Sequence, residues 1–478
     1  MTDDICMMPA SELLRLDRAR RLSPLEATRA VLDRIERYAA QLAAFRMVDG
    51  ERALDQARTS EARWVRGEPV GLVDGVPTTI KDQWLVRGWT TRRGSATTPE
   101  EVAAEDSPAV ARLRAHGAVL IGKTTLPEFG WKGVGDSPLT GIARNPWNPA
   151  KTCGGSSAGA AIAAAAGFGH LHHGSDGAGS IRMPAAFCGV FGLKPTFARV
   201  PAWPYGSLPM CSHTGPLTRT VADTALMARV MSEPDHRDWL SPPAGGGDVA
   251  AGLEDGVRGL RIAYSRTLGH ARVDPEYGRL VDEAVPVFTE LGAVVEDVDP
   301  GIEDVKAPFT AFYAANMAAT LRKIPVERRG EMDPGYAAFA ARAQAISAPD
   351  LIDAWMARDR LGVAMARFHE RFDLLITPQL ALAAFDVGRD YPEGRGMDSW
   401  FDWSPFTYPF NWTLQPAASV PCGLTADGLP VALQIVAARH RDDLVLRAAR
   451  AFETVRPFAM PGVSKLGGSK LGVAKLGT

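Results

Sequence analysis

Residues 153–196 read CGGSSAGAAIAAAAGFGHLHHGSDGAGSIRMPAAFCGVFGLKPT. Two turns of small residues carry serines, Ser156 and Ser157 in the first and Ser180 in the second. Glycine around a hydroxyl lets backbone approach backbone and points several N–H groups at one spot. Acyl transfer needs that arrangement, an exposed Ser Oγ beside donors for a developing oxyanion. The Ala-rich segment between the turns is shorter than the roughly 20 apolar residues of a membrane span. It predicts a tightly packed interior helix over about 157–167.

Outward from this stretch the chain alternates. The apolar segments 118–121, 260–264, 293–297, 373–376, 417–421 and 431–436 predict strands, and 78–82 predicts a short strand ending in charge. Helices are expected at 220–232, 274–291, 311–322, 349–371 and 442–454, with another starting at Ser107-Pro108. Residues 9–66 read as helices, with a capping box at Ser23-Pro24-Leu25-Glu26. Strands alternating with helices argue for an α/β sheet covered on both faces. No clean linker interrupts 60–455, so one domain is expected over 67–460, with 1–66 as its helical N-terminal layer. The tail, 461–478, repeats KLG at Lys465, Lys470 and Lys475. It reads as a disordered end or an expression remnant.

The totals exclude several classes. At 478 residues, 46% hydrophobic and 23% charged, the composition is that of a globular chain. A net charge of -2 exerts no long-range pull on nucleic acid or acidic lipid. The five cysteines form no CxxC pair and fit reduced thiols in a cytoplasm. The opening MTDDICMMPA lacks a basic segment before an apolar run, so no signal peptide is expected.

Three motifs compete with an acyl-transfer reading. Residues 117–124, GAVLIGKT, satisfy GxxxxGK[ST], but a phosphate loop follows a strand and turns through its middle residues. Here a helix precedes and the middle is a β-forming run. Residues 155–159, GSSAG, satisfy GxSxG, which needs a preceding strand and a later Asp and His. The preceding residues are turn-like, and His213, His236, His270, His369 and His440 stand in no informative context. His170, His172 and His173 have no carboxylate or cysteine at ligand spacing, so they read as structural on a strand heading into a turn.

Serine needs a base, and a lysine serves if it is held neutral. Lys81 ends the strand of GVPTTIKD. Ser156 follows 75 residues on and Ser180 another 24. These motifs resemble those of the amidase signature family of serine hydrolases, over about 71–453. The resemblance implies the amidase signature fold, a mixed twisted central sheet covered by helices on both faces. It implies Ser180 as nucleophile, Ser156 as a bridging serine preceded by a cis peptide bond, and Lys81 as base. It further implies an oxyanion hole from the N–H groups of Gly177, Ala178, Gly179 and Ser180, with Ser157, Asp176 and Arg182 holding the turns. No metal or cofactor is implied. Ala158 and Ala178 stand where the family pattern has glycine. Ala178 still offers its N–H if its φ is below zero.

Residues 400–412, WFDWSPFTYPFNW, hold seven aromatic residues whose spacing fits neither helix nor strand. Trp400, Trp403, Phe406 and Tyr408, with Trp203 and Tyr205 from a second aromatic loop, are expected to wall a large apolar pocket. That favours bulky or aryl amides, anilides or carbamates, in the manner of aryl acylamidases, nylon-oligomer hydrolases and amidase-like urethanases. The small-molecule substrate is the expected partner, with the chain a monomer or homodimer. The family's glutamine amidotransferase subunit carries an SSNLARYDGVRYG-type segment where this chain has NMAATLRKIPVERRG, so that role ranks below a stand-alone hydrolase. An esterase fits the same residues. An inactive binding homologue is disfavoured by the intact Lys81, Ser156 and Ser180.

Overall fold

A computed structural model of the chain describes residues 2–206, 208–242 and 247–462. The KLG repeats lie outside the described residues. The strands are β1 (Phe45–Val48), β2 (Pro77–Lys81), β3 (Val119–Thr124), β4 (Asp136–Ser137), β5 (Gly141–Ile142), β6 (Leu171–Asp176) and β7 (Phe191–Lys194). They continue with β8 (His213–Thr218), β9 (Arg261–Tyr264), β10 (Val294–Asp297), β11 (Leu374–Pro378), β12 (Ala417–Leu424) and β13 (Pro430–Ala437). Among the described residues, eleven of them form one sheet in the order β1-β3-β2-β6-β8-β7-β12-β13-β11-β9-β10, and β4 pairs with β5 apart.

The sheet is mixed, as expected. β2 runs parallel to β3 and β6, and β9 parallel to β10 and β11. The pairs through β8, β7, β12 and β13 are antiparallel. β2, β3 and β6 are buried along their whole length. That is the burial of strands covered on both faces.

The N-terminal helices are α1 (Thr2–Met7), α2 (Ala10–Arg18), α3 (Pro24–Leu42) and α4 (Gly50–Arg66). The capping box at Ser23 and Glu26 starts α3. Next come α5 (Pro108–Ala115), α6 (Ala158–Ala166), α7 (Arg182–Cys188) and α8 (Val221–Met231). Every residue of α6 is buried. Alanine and glycine let it sit this close: a Cβ on Gly159 would stand 2.1 Å from the Ala44 carbonyl oxygen. No helix among the described residues is long and apolar enough to cross a membrane.

Four differences from the sequence reading stand out. Residues 45–48 leave the helical layer and pair as an edge strand against β3. The expected helix over 274–291 is two, α9 (Pro275–Asp282) and α10 (Pro286–Glu290). Pro286 lacks the N–H that would continue the first. The third segment, α11 (Lys306–Leu321), starts earlier than read, and α12 (Pro334–Ala341) was not anticipated before α13 (Ala348–Phe368). β7 and β8 were also missed, because FGLK and HTGPLT are too short and Gly- and Pro-rich to show period. The chain closes with α14 (Tyr408–Trp412) and α15 (Asp442–Val455).

Candidate active site

The site lies where β2 and β6 end side by side. Ile80 pairs with His173 in their parallel register, so the two chains leave the sheet at one edge. Lys81 is the last residue of β2 and Asp176 the last of β6. Ser157 is the residue before α6, and Ser180 lies just before α7. Two strand ends and two helix starts thus deliver the motifs 75 and 24 residues apart to one spot.

Lys81 is fully buried. As an ammonium, its Nζ donates to Ser156 Oγ at 2.8 Å, Ser175 Oγ at 2.9 Å and Ser157 Oγ at 3.1 Å. No carboxylate shares this set. Burial pushes Lys81 down from its ordinary 10.5 to about 7, against the pull of Asp176. Ser175 donates onward to Gln83 Oε1 at 2.7 Å. Ser157 donates to the Ser175 carbonyl at 3.0 Å, and its own N–H reaches the Ser180 carbonyl at 3.0 Å. The Gly155–Ser156 peptide bond is cis. Gly130 closes over Ser156, since a Cβ there would lie 3.1 Å from Ser156 Oγ.

The second turn hangs from Asp176. Its carboxylate accepts from Gly179 N at 2.6 Å, Ile181 N at 3.2 Å, Arg182 Nε at 2.9 Å, Arg182 Nη2 at 3.0 Å and Asn411 Nδ2 at 2.9 Å. Burial alone would raise this carboxyl, but Arg182, Lys194 and Asn411 outweigh it and hold it far below the usual range. Arg182 reaches on to Gln434 at 2.7 Å and Asn411 Oδ1 at 2.6 Å. Asp176 and Arg182 are both fully buried. Removing one partner of such a pair costs about 3–5 kcal/mol, which suits Asp176 and Arg182 to holding the turn.

Within the turn, Gly179 has φ 117° while Ala178 does not enter the positive region. A Cβ at 179 would also meet Thr407 at 2.7 Å. Glycine is required at 179, and alanine is accommodated at 178. The Gly179 N–H is committed to Asp176. Of the four N–H groups expected in an oxyanion hole, this leaves those of Gly177, Ala178 and Ser180 as candidates.

Four of the six aromatic residues expected at the pocket are buried. Trp400, Trp403, Phe406 and Tyr408 are 3% exposed or less. They belong to the buried core. Tyr408 stacks on Phe309 at 5.0 Å, Trp403 on Phe187 at 5.5 Å, and Trp400 meets Tyr313 edge-on at 5.7 Å. Their rings bury α11 against α7 and the loop before α14. The polar residues of the same run touch the site instead. Thr407 Oγ1 donates to the Ala178 carbonyl at 2.6 Å, and Asn411 Nδ2 to the Asp176 carbonyl at 2.9 Å. Trp203 lies under Arg237 at 5.4 Å. Tyr205 lines a cavity of about 130 Å³ with Gln83, Arg93, Phe129, Thr320 and Lys323.

The competing motifs resolve on geometry. GAVLIGKT runs into β3, and Lys123 Nζ is spent on the Trp84 carbonyl, Thr91 Oγ1 at 2.9 Å and Asp82 at 3.3 Å. Among the described residues, no hydrogen bond joins a histidine to Ser156, Ser157 or Ser180, and no strand precedes the GSSAG turn. His170 faces the Ile5 carbonyl, His172 faces Thr79, and His173 packs edge-on against Trp84.

Ser175, Gln83, Thr407, Asn411 and Gln434 escaped the sequence reading. Ser175 had a signal, standing in the same GSDGAGS turn, and so did Asn411, an amide among aromatics. Gln83 and Gln434 had none.

The fold thus sets a buried lysine among serine hydroxyls at the ends of two strands of a mixed sheet. The Amidase family model matches residues 26–446, and the chain belongs to that family, the amidase signature hydrolases, which act on C–N amide bonds. It is 37% identical to an acylamidase of Rhodococcus erythropolis, over 95% of this chain and 96% of that one. It is 34% identical to a glutamyl-tRNA(Gln) amidotransferase subunit of Myxococcus xanthus, over 94% and 99%. A solved bacterial aryl acylamidase superposes with a TM-score of 0.87 at 32% identity, covering 94% of this chain and 96% of that one.

Proposed function

We propose that the chain is a stand-alone amidase that cleaves bulky or aryl amides, and carbamates of similar shape, through a Ser180–Ser156–Lys81 relay. The observation that carries this is the buried Lys81 amine, 2.8 Å from Ser156 Oγ with no carboxylate in its hydrogen-bond set. The donors fix a direction. A neutral amine has two N–H bonds and one lone pair. Ser175 donates to Gln83, so toward Lys81 it accepts; Ser157 donates to the Ser175 carbonyl, so it too accepts. The two N–H bonds go to these hydroxyls, and the lone pair is left for the Ser156 O–H.

Ser156 passes its proton to Lys81 as it takes the proton of Ser180. Ser180 Oγ bonds to the carbonyl carbon, and the C=O pair moves to oxygen, facing the N–H groups of Gly177, Ala178 and Ser180. One such donor is worth about 2.7–4 kcal/mol in the barrier. When the intermediate collapses, the C–N bond breaks and the proton returns through Ser156 to nitrogen. Water then cleaves the acyl-enzyme by the same relay. A carbamate carbonyl lies between oxygen and nitrogen, and the relay can expel either. The acylamidase relative and the Phe129–Tyr205 cavity support an aryl or bulky substrate. Five free, buried thiols fit a cytoplasmic enzyme, working as monomer or homodimer.

The test is intact mass spectrometry after a fluorophosphonate, with Ser180→Ala alongside. A single adduct on the wild type, absent from the variant, is expected. An adduct that persists moves the nucleophile elsewhere, Ser157 first. The likeness to an amidotransferase component gives a second reading, in which the chain alone would not turn over simple anilides. Hydrolysis by the isolated chain decides against it.

A further inference from the structure

We propose that the cavity beside Gln83 is an anion subsite, so that the favoured substrates are amides carrying a carboxylate. This rests on the relay reading above and extends it to the substrate's chemistry. The cavity, about 130 Å³, has an apolar side formed by Phe129, Pro204 and Tyr205 and two cations, Arg93 and Lys323. It adjoins the catalytic cluster directly. Gln83 accepts the hydroxyl of Ser175, which accepts from Lys81. Phe129 precedes Gly130, the residue closing over Ser156.

Among the described residues, the two cations have no partner: neither the Arg93 guanidinium nor the Lys323 ammonium makes a side-chain hydrogen bond or an ion pair. The carboxylate that acts on Arg93 is Asp82, and its oxygens are already shared by Arg46 at 3.0 Å and Lys123 at 3.3 Å. The nearby basic residues that serve structure are paired: Lys132 with Asp136, Asp333 and Asp390, and Arg92 with Glu100. Arg93 is held in place from its backbone, its N–H on the Asp82 carbonyl at 3.0 Å and its carbonyl taking Phe129 N at 2.8 Å. A planar guanidinium in a fixed frame and a flexible ammonium, lining one cavity with two aromatic residues, suit a carboxylate carried on an aromatic or alkyl body.

The carboxylate can sit on the acyl side or the amine side of the bond, so the test has both arms. Succinanilate is compared with butyranilide, and 4-acetamidobenzoate with acetanilide. Affinities are measured calorimetrically on the full-length Ser180→Ala protein, which keeps the subsite and does not depend on turnover. In one of the pairs the carboxylated member is expected to bind about 10-fold to 100-fold tighter, the range of a hydrogen bond to a charged group. That ratio should shrink toward one in Lys323→Met and in Arg93→Met, and persist in part in Arg93→Lys. Lys323 is exposed, so its variant reports even if Arg93→Met fails to fold. Equal binding within both pairs, or a preference that survives both substitutions, overturns the subsite. A fluorophosphonate adduct that persists in Ser180→Ala overturns the relay and leaves the binding result standing.

Discussion

Two buried lysines end neighbouring strands, and they have different fates. Lys81 closes β2 and Lys123 stands one position before the end of β3, with Ile80 opposite Lys123 and Lys81 opposite Thr124. Paired residues share a face and successive ones alternate, so the two ammonium groups leave the sheet on opposite sides. Both are wholly buried, and burial lowers both, to about 7 for Lys81 and about 8 for Lys123. Their partners separate them. Lys123 meets a carboxylate, Asp82, and a backbone carbonyl, which hold a cation. Lys81 meets three hydroxyls, which serve an amine equally well in either protonation state. A carboxylate suits a buried lysine to holding charge, and hydroxyls leave it able to act as a base, the role proposed for Lys81.

The comparison breaks first at Lys81→Met. The variant keeps an unbranched chain in the pocket and loses the base. Turnover of a neutral anilide is expected to fall by roughly a thousandfold, the scale of removing a general base. A loss under tenfold would falsify the assignment. The next test is pH. Only neutral Lys81 accepts a proton, so kcat/KM should climb about tenfold per unit below pH 7 and level off above it. A flat profile between pH 6 and 9 speaks against Lys81 as base.

How much of this was readable beforehand follows from the same chemistry. The candidates Lys81, Ser156 and Ser180 stood out because each sits in a short motif with its own local reason, a strand end and two glycine turns. Their three-dimensional convergence was implied by family resemblance and could not come from spacing. The role of the aromatic run was not legible, because burial by ring stacking and burial around a ligand have the same composition. Only tertiary contacts separate Trp403, stacked on Phe187, from Tyr205, at a cavity. Gln83 and Gln434 were invisible because an amide acts wherever the fold carries it, with no pattern in its neighbours. β7 and β8 were missed for want of length, and Phe45–Val48 because an edge strand of four residues follows a long helix with no glycine or proline between.

Gln83 sharpens the contrast at a smaller scale. Gln83→Leu removes the acceptor that keeps the Ser175 hydroxyl turned from Lys81. Ser175 can then donate to the lone pair and compete with Ser156. A fall of about threefold to tenfold in kcat is expected, the worth of one neutral hydrogen bond. Gln83→Glu keeps an acceptor but brings a negative charge near Lys81, so the midpoint of the pH profile should move above 7. A pH profile unmoved in Gln83→Glu would make Gln83 a packing residue only.

The smallest effect on chemistry is expected at Lys123→Met, where stability carries the signal. The variant leaves the Trp84 carbonyl without its donor, while Asp82 keeps Arg46. The cost is about 1–3 kcal/mol, that of one unsatisfied buried group. The activity profile should keep its rise through pH 7, since Lys81 is untouched. Stability should respond to pH with a definite sign. The folded state releases the Lys123 proton near 8 and the unfolded chain near 10.5. Between those values the unfolded state binds more protons, so this group makes stability rise with pH. Urea midpoints at pH 8 and pH 10 measure that rise, which should be smaller in Lys123→Met than in the wild type. An equal rise in both would mean that Lys123 keeps its proton throughout, held by Asp82. The contrast with Lys81 would then be one of charge state as well as of partners.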